Sequence, residues 1–196
     1  MPVNESQKGR FLDICHRCIH REGIDRLIEW LNQSDFFTAP ASSRFHNSFE
    51  GGLLDHSLNV YDALCELYRL YVDRLDPISE ESIAITALFH DLCKVNFYKQ
   101  DTRNVKVEGI WTAVPFFSID EKFPFGGHGS KSVFLAERFI RLTPEEAVAI
   151  NCHMGFSDNE HVGSSFERFP LALLLNMADS VATFITEPGR KDGEGT

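Results

Sequence analysis

The sequence predicts an all-α bundle broken by one short β-hairpin. Three observations carry this reading. Apolar residues recur at helical spacing through most of the chain, helix-start signals precede several of those stretches, and the segment 97–125 alone departs from the pattern. At 196 residues the chain fits one domain with a single substantial core. Residues 1–187 read as that domain, with an N-terminal part at 1–50 and a core at 51–187. Residues 188–196 read as a flexible tail, the terminal run EPGRKDGEGT being too polar to hold structure.

In the segment 6–33, Phe11, Ile14, Cys18, Ile24, Leu27, Ile28 and Leu31 give apolar faces to two helices bent near Gly23. A loop with Pro40 and several serines follows at 34–50. From Gly51-Gly52 a long helix carries Leu54, Leu58, Tyr61, Leu64, Tyr68 and Tyr71 in one stripe. Pro77 ends that pattern. Ser79 with Glu80 and Glu81 then supplies an N-cap and an acidic first turn for a helix ending near His90-Asp91.

Between 97 and 125, Val105, Val107, Ile110, Trp111, Val114, Phe116, Phe117 and Ile119 are β-branched or aromatic, with Gly109 and Pro115 among them. That composition favours a hairpin or ordered flap. Trp111, Phe116 and Phe117 are expected to pack in the core, with a wall for stacking a base as the alternative. Helices resume at 130–141. Thr143-Pro144-Glu145-Glu146 is a capping box with proline at N1. A final helix, 165–186, carries Leu171, Leu174, Leu175, Ala178 and Ala182.

The formal charge is −10, and Lys and Arg are scattered singly, which argues against long duplex nucleic acid as a partner. No apolar run approaches the roughly 20 residues of a membrane helix. The N-terminus is polar, and five cysteines without a secretory signal read as free thiols, so a cytoplasmic protein without membrane contact is expected. Cys65, Cys93 and Cys152 read as fillers of small core spaces. The cluster Cys15-His16-Arg17-Cys18 with His20 lacks a second pair at zinc spacing and looks helical.

The chemistry lies elsewhere. His90 and Asp91 follow Ala87 by three and four residues, so both lean over one small, closely packed position. Asp179 follows Leu175 by four and falls on or beside the apolar stripe. His56 lies in the first turns of its helix, on the side of Val60 and Ala63. An inward aspartate is costly unless it is paired or bound to metal. Two such aspartates among several histidines point to metal.

As an ordered set, His56, His90-Asp91, His128, His153 and Asp179 resemble the H…HD…H…H…D pattern of the HD-domain superfamily, over most of residues 46–187. His46-Asn47 ahead of Gly51-Gly52-Leu53-Leu54-Asp55-His56 is also similar to the HD module of bacterial 3′–5′ exonucleases. Those enzymes carry a nucleic-acid-binding β-barrel before the module, and the sequence here leaves no room for one. His46 reads as a support to the ligands or as an ordinary loop histidine.

The resemblance implies a helical HD bundle and a metal-dependent phosphohydrolase. By it, His56, His90, Asp91 and Asp179 ligate one divalent ion, and His128 and His153 extend the site to a second, with Asp91 as the bridge. Manganese, iron, magnesium, cobalt, nickel and zinc are all candidates. Two such ions against two carboxylates leave about +2, which attracts phosphate and lowers the pKa of a bridging water. The expected reaction is attack of metal-activated hydroxide on the phosphorus of a small nucleotide-like mono- or diester. Asp91 and Lys94, at HDxxK spacing, are the expected catalytic residues. Lys94, Lys131 and Ser130 are expected to hold the substrate phosphate, Ser130 as the cap of a helix whose N-terminus faces it. The same ligand pattern also suits a mixed-valence di-iron oxygenase, which needs a redox-active metal, and a non-catalytic nucleotide-binding sensor.

Overall fold

The computed structural model describes residues 4–45, 47–107, 109–157 and 161–187, so His46 and the tail expected at 188–196 lie outside the described residues. The helices are α1 (Glu5–Cys18), α2 (Ile24–Gln33), α3 (Gly52–Tyr71), α4 (Glu80–Phe89), α5 (His128–Glu137), α6 (Pro144–Cys152), α7 (Val162–Arg168) and α8 (Pro170–Val181). One antiparallel hairpin, β1 (Tyr98–Val107) and β2 (Ile110–Ile119), separates α4 from α5. The mainly helical bundle with one β insertion is therefore present as expected.

Helix α4 is the axis of the bundle. Every residue from Ile83 to Phe89 is buried, so beyond its first turn this helix has no solvent face, and it packs against α1, α3, α6 and α8. Its start is fixed by Ser79, whose side chain accepts from Ser82 N. Its one buried hydroxyl, on Thr86, donates to Ser82 O at 2.7 Å, which satisfies it inside an apolar setting. On one side, Phe11 meets Phe36, Phe37 and Phe89 at centroid distances of 5.2–6.1 Å. On the other, Val60, Leu64, Ala87, Leu171 and Leu175 close a second cluster between α3, α4 and α8.

The bend between α1 and α2 sits at Gly23, with φ 94°, where a Cβ would lie 1.9 Å from Phe139 O. Only glycine admits that approach. At the start of α3, a Cβ on Gly52 would lie 2.0 Å from Asn47 O, so the loop before this helix closes directly over its first turn.

Two expectations need correction. The single final helix is two, because Phe169 leaves helical geometry at φ −128°, ψ 89° and Pro170 opens α8 as its first residue. Proline cannot donate to the preceding turn and pushes its predecessor into extended backbone. The hairpin also projects from the bundle instead of lining its core. Trp111 is 70% exposed, and Arg103 lies over the Phe116 ring within the hairpin itself. A two-stranded ribbon offers no third layer behind which both faces could hide.

All five cysteines are free thiols; Cys93 and Cys152 are buried as expected, whereas Cys65 is only half-buried. Cys15 and Cys18 turn inward on α1 while His16 and His20 face solvent. Among the described residues no single helix is long and apolar enough to cross a membrane.

A buried carboxylate ties the ends of the bundle together. Glu146, fully buried in α6, accepts from Arg21, from Ser82 Oγ at 2.8 Å and from Thr143 N at 2.8 Å, the last completing the expected capping box. Arg21 also pairs with Glu81 at 3.0 Å. Replacing Glu146 by alanine is expected to cost about 3 kcal/mol, the lower end for a broken buried ion pair because Arg21 keeps some exposure. Urea unfolding reads this as a lower midpoint at unchanged slope. A midpoint equal to wild type would show that the network contributes nothing net.

Candidate metal centre

The centre begins with two helix ends. His90 and His153 occupy the C-cap positions of α4 and α6 with nearly identical backbone angles, φ −58° for both and ψ −32° and −31°. The last carbonyls of a helix lack intrahelical partners. In each case the imidazole supplies one: His90 Nδ1 donates to Ala87 O at 2.8 Å, and His153 Nδ1 to Ile150 O at 2.7 Å. A carbonyl can only accept, so Nδ1 carries the hydrogen and Nε2 of each neutral ring is left as a lone pair turned inward.

His56 reaches the same point from the first turns of α3. Its Nδ1 lies 3.2 Å from both oxygens of Glu187, which also accepts from Asn59 Nδ2 at 2.7 Å. Its Nε2 faces His90 Nε2 at 3.3 Å, Asp179 Oδ1 at 3.2 Å and Asp91 Oδ2 at 3.5 Å. Asp91 points its two oxygens apart. Oδ2 stands 3.3 Å from His90 Nε2 and 2.6 Å from Lys94 Nζ, while Oδ1 stands 3.6 Å from His153 Nε2. His56, His90, Asp91 and His153 are buried and Asp179 half-buried.

This arrangement demands positive charge. Burial disfavours the charged form of His56, but hydrogen bonds to Asp179 and Glu187 outweigh it and push its pKa up to about 9. His153 also moves up, against its burial, because of Asp91. Burial would raise the pKa of Asp91, yet Lys94 and His90 hold it well below the usual carboxylate range. His56 does the same for Asp179.

A divalent ion fits these donors. His153 Nε2 is buried with no hydrogen-bond partner, an uncommon condition for a polar atom in a folded core. Ligands held about 2.0–2.2 Å from one ion are spaced about 3.0–3.5 Å from one another, the range seen across most of this set. Two groups of three bring their donor atoms within 4.8 Å of one another: His56, His90 and Asp179, and His90, Asp91 and His153. The Glu187–His56 contact is the carboxylate support that metal-binding imidazoles commonly have on their second nitrogen.

Of the residues expected from sequence, five converge here, with Lys94 beside them. His128 stands apart. It is exposed at the start of α5, with Nδ1 3.3 Å from Cys93 Sγ, and it lines the adjoining cavity without joining either group. Ser130 does not cap α5, which begins two residues earlier after Gly127; its hydroxyl donates to Asn151 Oδ1 at 2.8 Å. The Lys131 ammonium is paired with Glu121. Neither Ser130 nor Lys131 lines the cavity. Glu187 was missed altogether, because a glutamate opening a polar terminal run carries no local mark of burial.

The open side of the centre is a cavity of about 640 Å³, walled by Asp91, Lys94, Tyr98, His128, His153 and Asp179 and by residues of the 34–50 loop and the end of α8. Trp111, Phe116 and Phe117 take no part in it.

Replacing Glu187 by glutamine keeps the side-chain volume and removes the charge behind His56. The affinity for a divalent ion is expected to fall 10–100-fold without loss of fold, as for other groups that orient a ligating histidine. Titration of manganese into chelator-treated protein measures it. Unchanged affinity would mean that Glu187 serves packing only.

The family model of the HD domain matches residues 53–186, and no curated protein or solved structure matches the chain. The match is to the superfamily and does not single out the exonuclease modules. All five converging residues fall within the matched range. The chain belongs to the HD-domain family.

Proposed function

We propose that the protein is a metal-dependent phosphohydrolase that cleaves a mono- or diester of a small nucleotide-like phosphate. One observation carries this reading: the inward Nε2 atoms of His56, His90 and His153 meet Asp91 and Asp179 beside a cavity lined by His153, both aspartates and Lys94. Divalent ions held there supply Lewis acidity and make hydroxide available near neutral pH.

The chain's own residues do the rest. Asp91, with one oxygen toward His56 and His90 and the other toward His153, would hold divalent metal together with those histidines. Lys94 keeps its proton strongly, since Asp91 outweighs the burial that would remove it. Its ammonium is thus a fixed cation beside the reacting phosphate, stabilising charge on a phosphoryl or leaving oxygen. His128, exposed on the cavity wall, stands where it could complete the second ion's shell or carry a proton to the leaving group.

The decisive measurement is hydrolysis of a panel of nucleoside mono- and cyclic phosphates by chelator-treated protein resupplied with each divalent metal. Turnover is expected with manganese and with at least one other redox-inert or borderline ion, and no turnover with chelator alone. Asp91→Ala should remove detectable activity, and Lys94→Ala should lower kcat by about 10²–10³. Activity seen only with iron and dioxygen would overturn the hydrolase reading in favour of an oxygenase. Nucleotide binding unaffected by Asp91→Ala, without turnover of any ester, would leave a sensor.

A further inference from the structure

We infer that the cavity selects esters with a single phosphoryl group joined to a flat apolar group, and that Phe45 and Phe184 grip the latter. The inference rests on the phosphohydrolase reading for the position of the phosphate and on separate observations for the rest.

Phe45 and Phe184 both line the cavity that holds Asp91 and Lys94, yet each is 77% exposed. Two large aromatic side chains left in water at the mouth of one cavity form a ready platform, since a flat ring covers them without needing a specific hydrogen bond. Met154, 42% exposed on the same lining, adds an adaptable apolar contact.

Both phenylalanines are held in place by local structure. Phe45 N donates to Ser42 Oγ at 2.8 Å, which pins the loop before α3. Phe184 lies on a π-helical turn, Ala182–Thr186, that continues α8. The widened turn closes with Glu187 N on Ala182 O at 2.8 Å, and so returns the Glu187 carboxylate to His56. The turn that supports a metal ligand is therefore the one that places Phe184 at the mouth. Such turns are frequent at functional sites.

Charge limits the other end of the substrate. Lys94 is the sole lysine or arginine among the described residues lining the cavity, and it stands on Asp91. The other candidate cation, Lys131, is committed to Glu121. A phosphate at the metal centre is provided for. A second and third phosphate would extend among Asp179, phenylalanines and hydroxyls, with no further lysine or arginine among the described lining residues to meet them.

Stable phosphonates test this without hydrolysis. On manganese-loaded protein, phenylphosphonate is expected to bind at least tenfold more tightly than methylphosphonate. The double variant Phe45→Ala, Phe184→Ala should abolish that preference and leave methylphosphonate affinity within twofold. At constant free manganese, adenosine 5′-monophosphate should displace phenylphosphonate at least as well as ATP. Equal binding of the two phosphonates, a preference that survives the double variant, or better displacement by ATP would each overturn the inference. Aryl preference in a protein that hydrolyses no ester would sink the phosphohydrolase reading and support the aromatic grip. Hydrolysis without aryl preference would do the reverse.

Discussion

Two helices that end on the same contact determine the centre. At the ends of α4 and α6, a histidine turns Nδ1 back onto the carbonyl three residues earlier. This one bond satisfies an orphan carbonyl, fixes the tautomer and aims a bare nitrogen into the interior. It works at this depth because α4 is apolar from Ile83 to Phe89 apart from Thr86, whose hydroxyl is satisfied, and can be buried on every side there, carrying His90 and Asp91 to the middle of the fold. A helix with a polar face would have delivered the doublet to the surface, where water would fill the site.

The same arrangement leaves groups that a folded core seldom tolerates. His153 Nε2 has no hydrogen-bond partner, and Asp91 has one committed cation, Lys94, among imidazoles. An unpaired buried polar atom costs about 1–3 kcal/mol, and a buried carboxylate more. A divalent ion relieves these costs together, so metal binding and folding stability are linked through the same atoms. The Glu146–Arg21 network is separate from this. It holds the far end of the bundle by pairing charges that need no ion.

What the sequence displayed was local. The capping box at Thr143, the N-cap at Ser79, the apolar run of α4 and the His-Asp doublet each show within a few residues, and the structure contains all of them. Contacts that depend on distant chain were not visible. Glu187 meets His56 across 131 positions, and its neighbours read as a tail. Phe45 and Phe184 meet one cavity from opposite ends of the core. Ser130 and Lys131 lie off the cavity lining for a geometric reason. They follow His128 by two and three residues on a helix, which rotates them toward Asn151 and Glu121. Pro170 was visible but was overridden by the apolar pattern on either side of it.

Glu187 also changes the electrostatics. The sequence pattern supplies two carboxylates to the centre, and the structure supplies a third, through His56, together with the Lys94 cation. These groups sum to about −2, so one divalent ion would leave the centre near neutral, with little attraction for a phosphate dianion. Two ions would leave about +2, which matches a single phosphoryl group and not a polyphosphate. On the proposed phosphohydrolase reading, the third carboxylate, invisible in the motif, thus favours two ions over one. On the same reading, two bound ions would let a chain of net charge −10 draw an anion into its core without a basic surface.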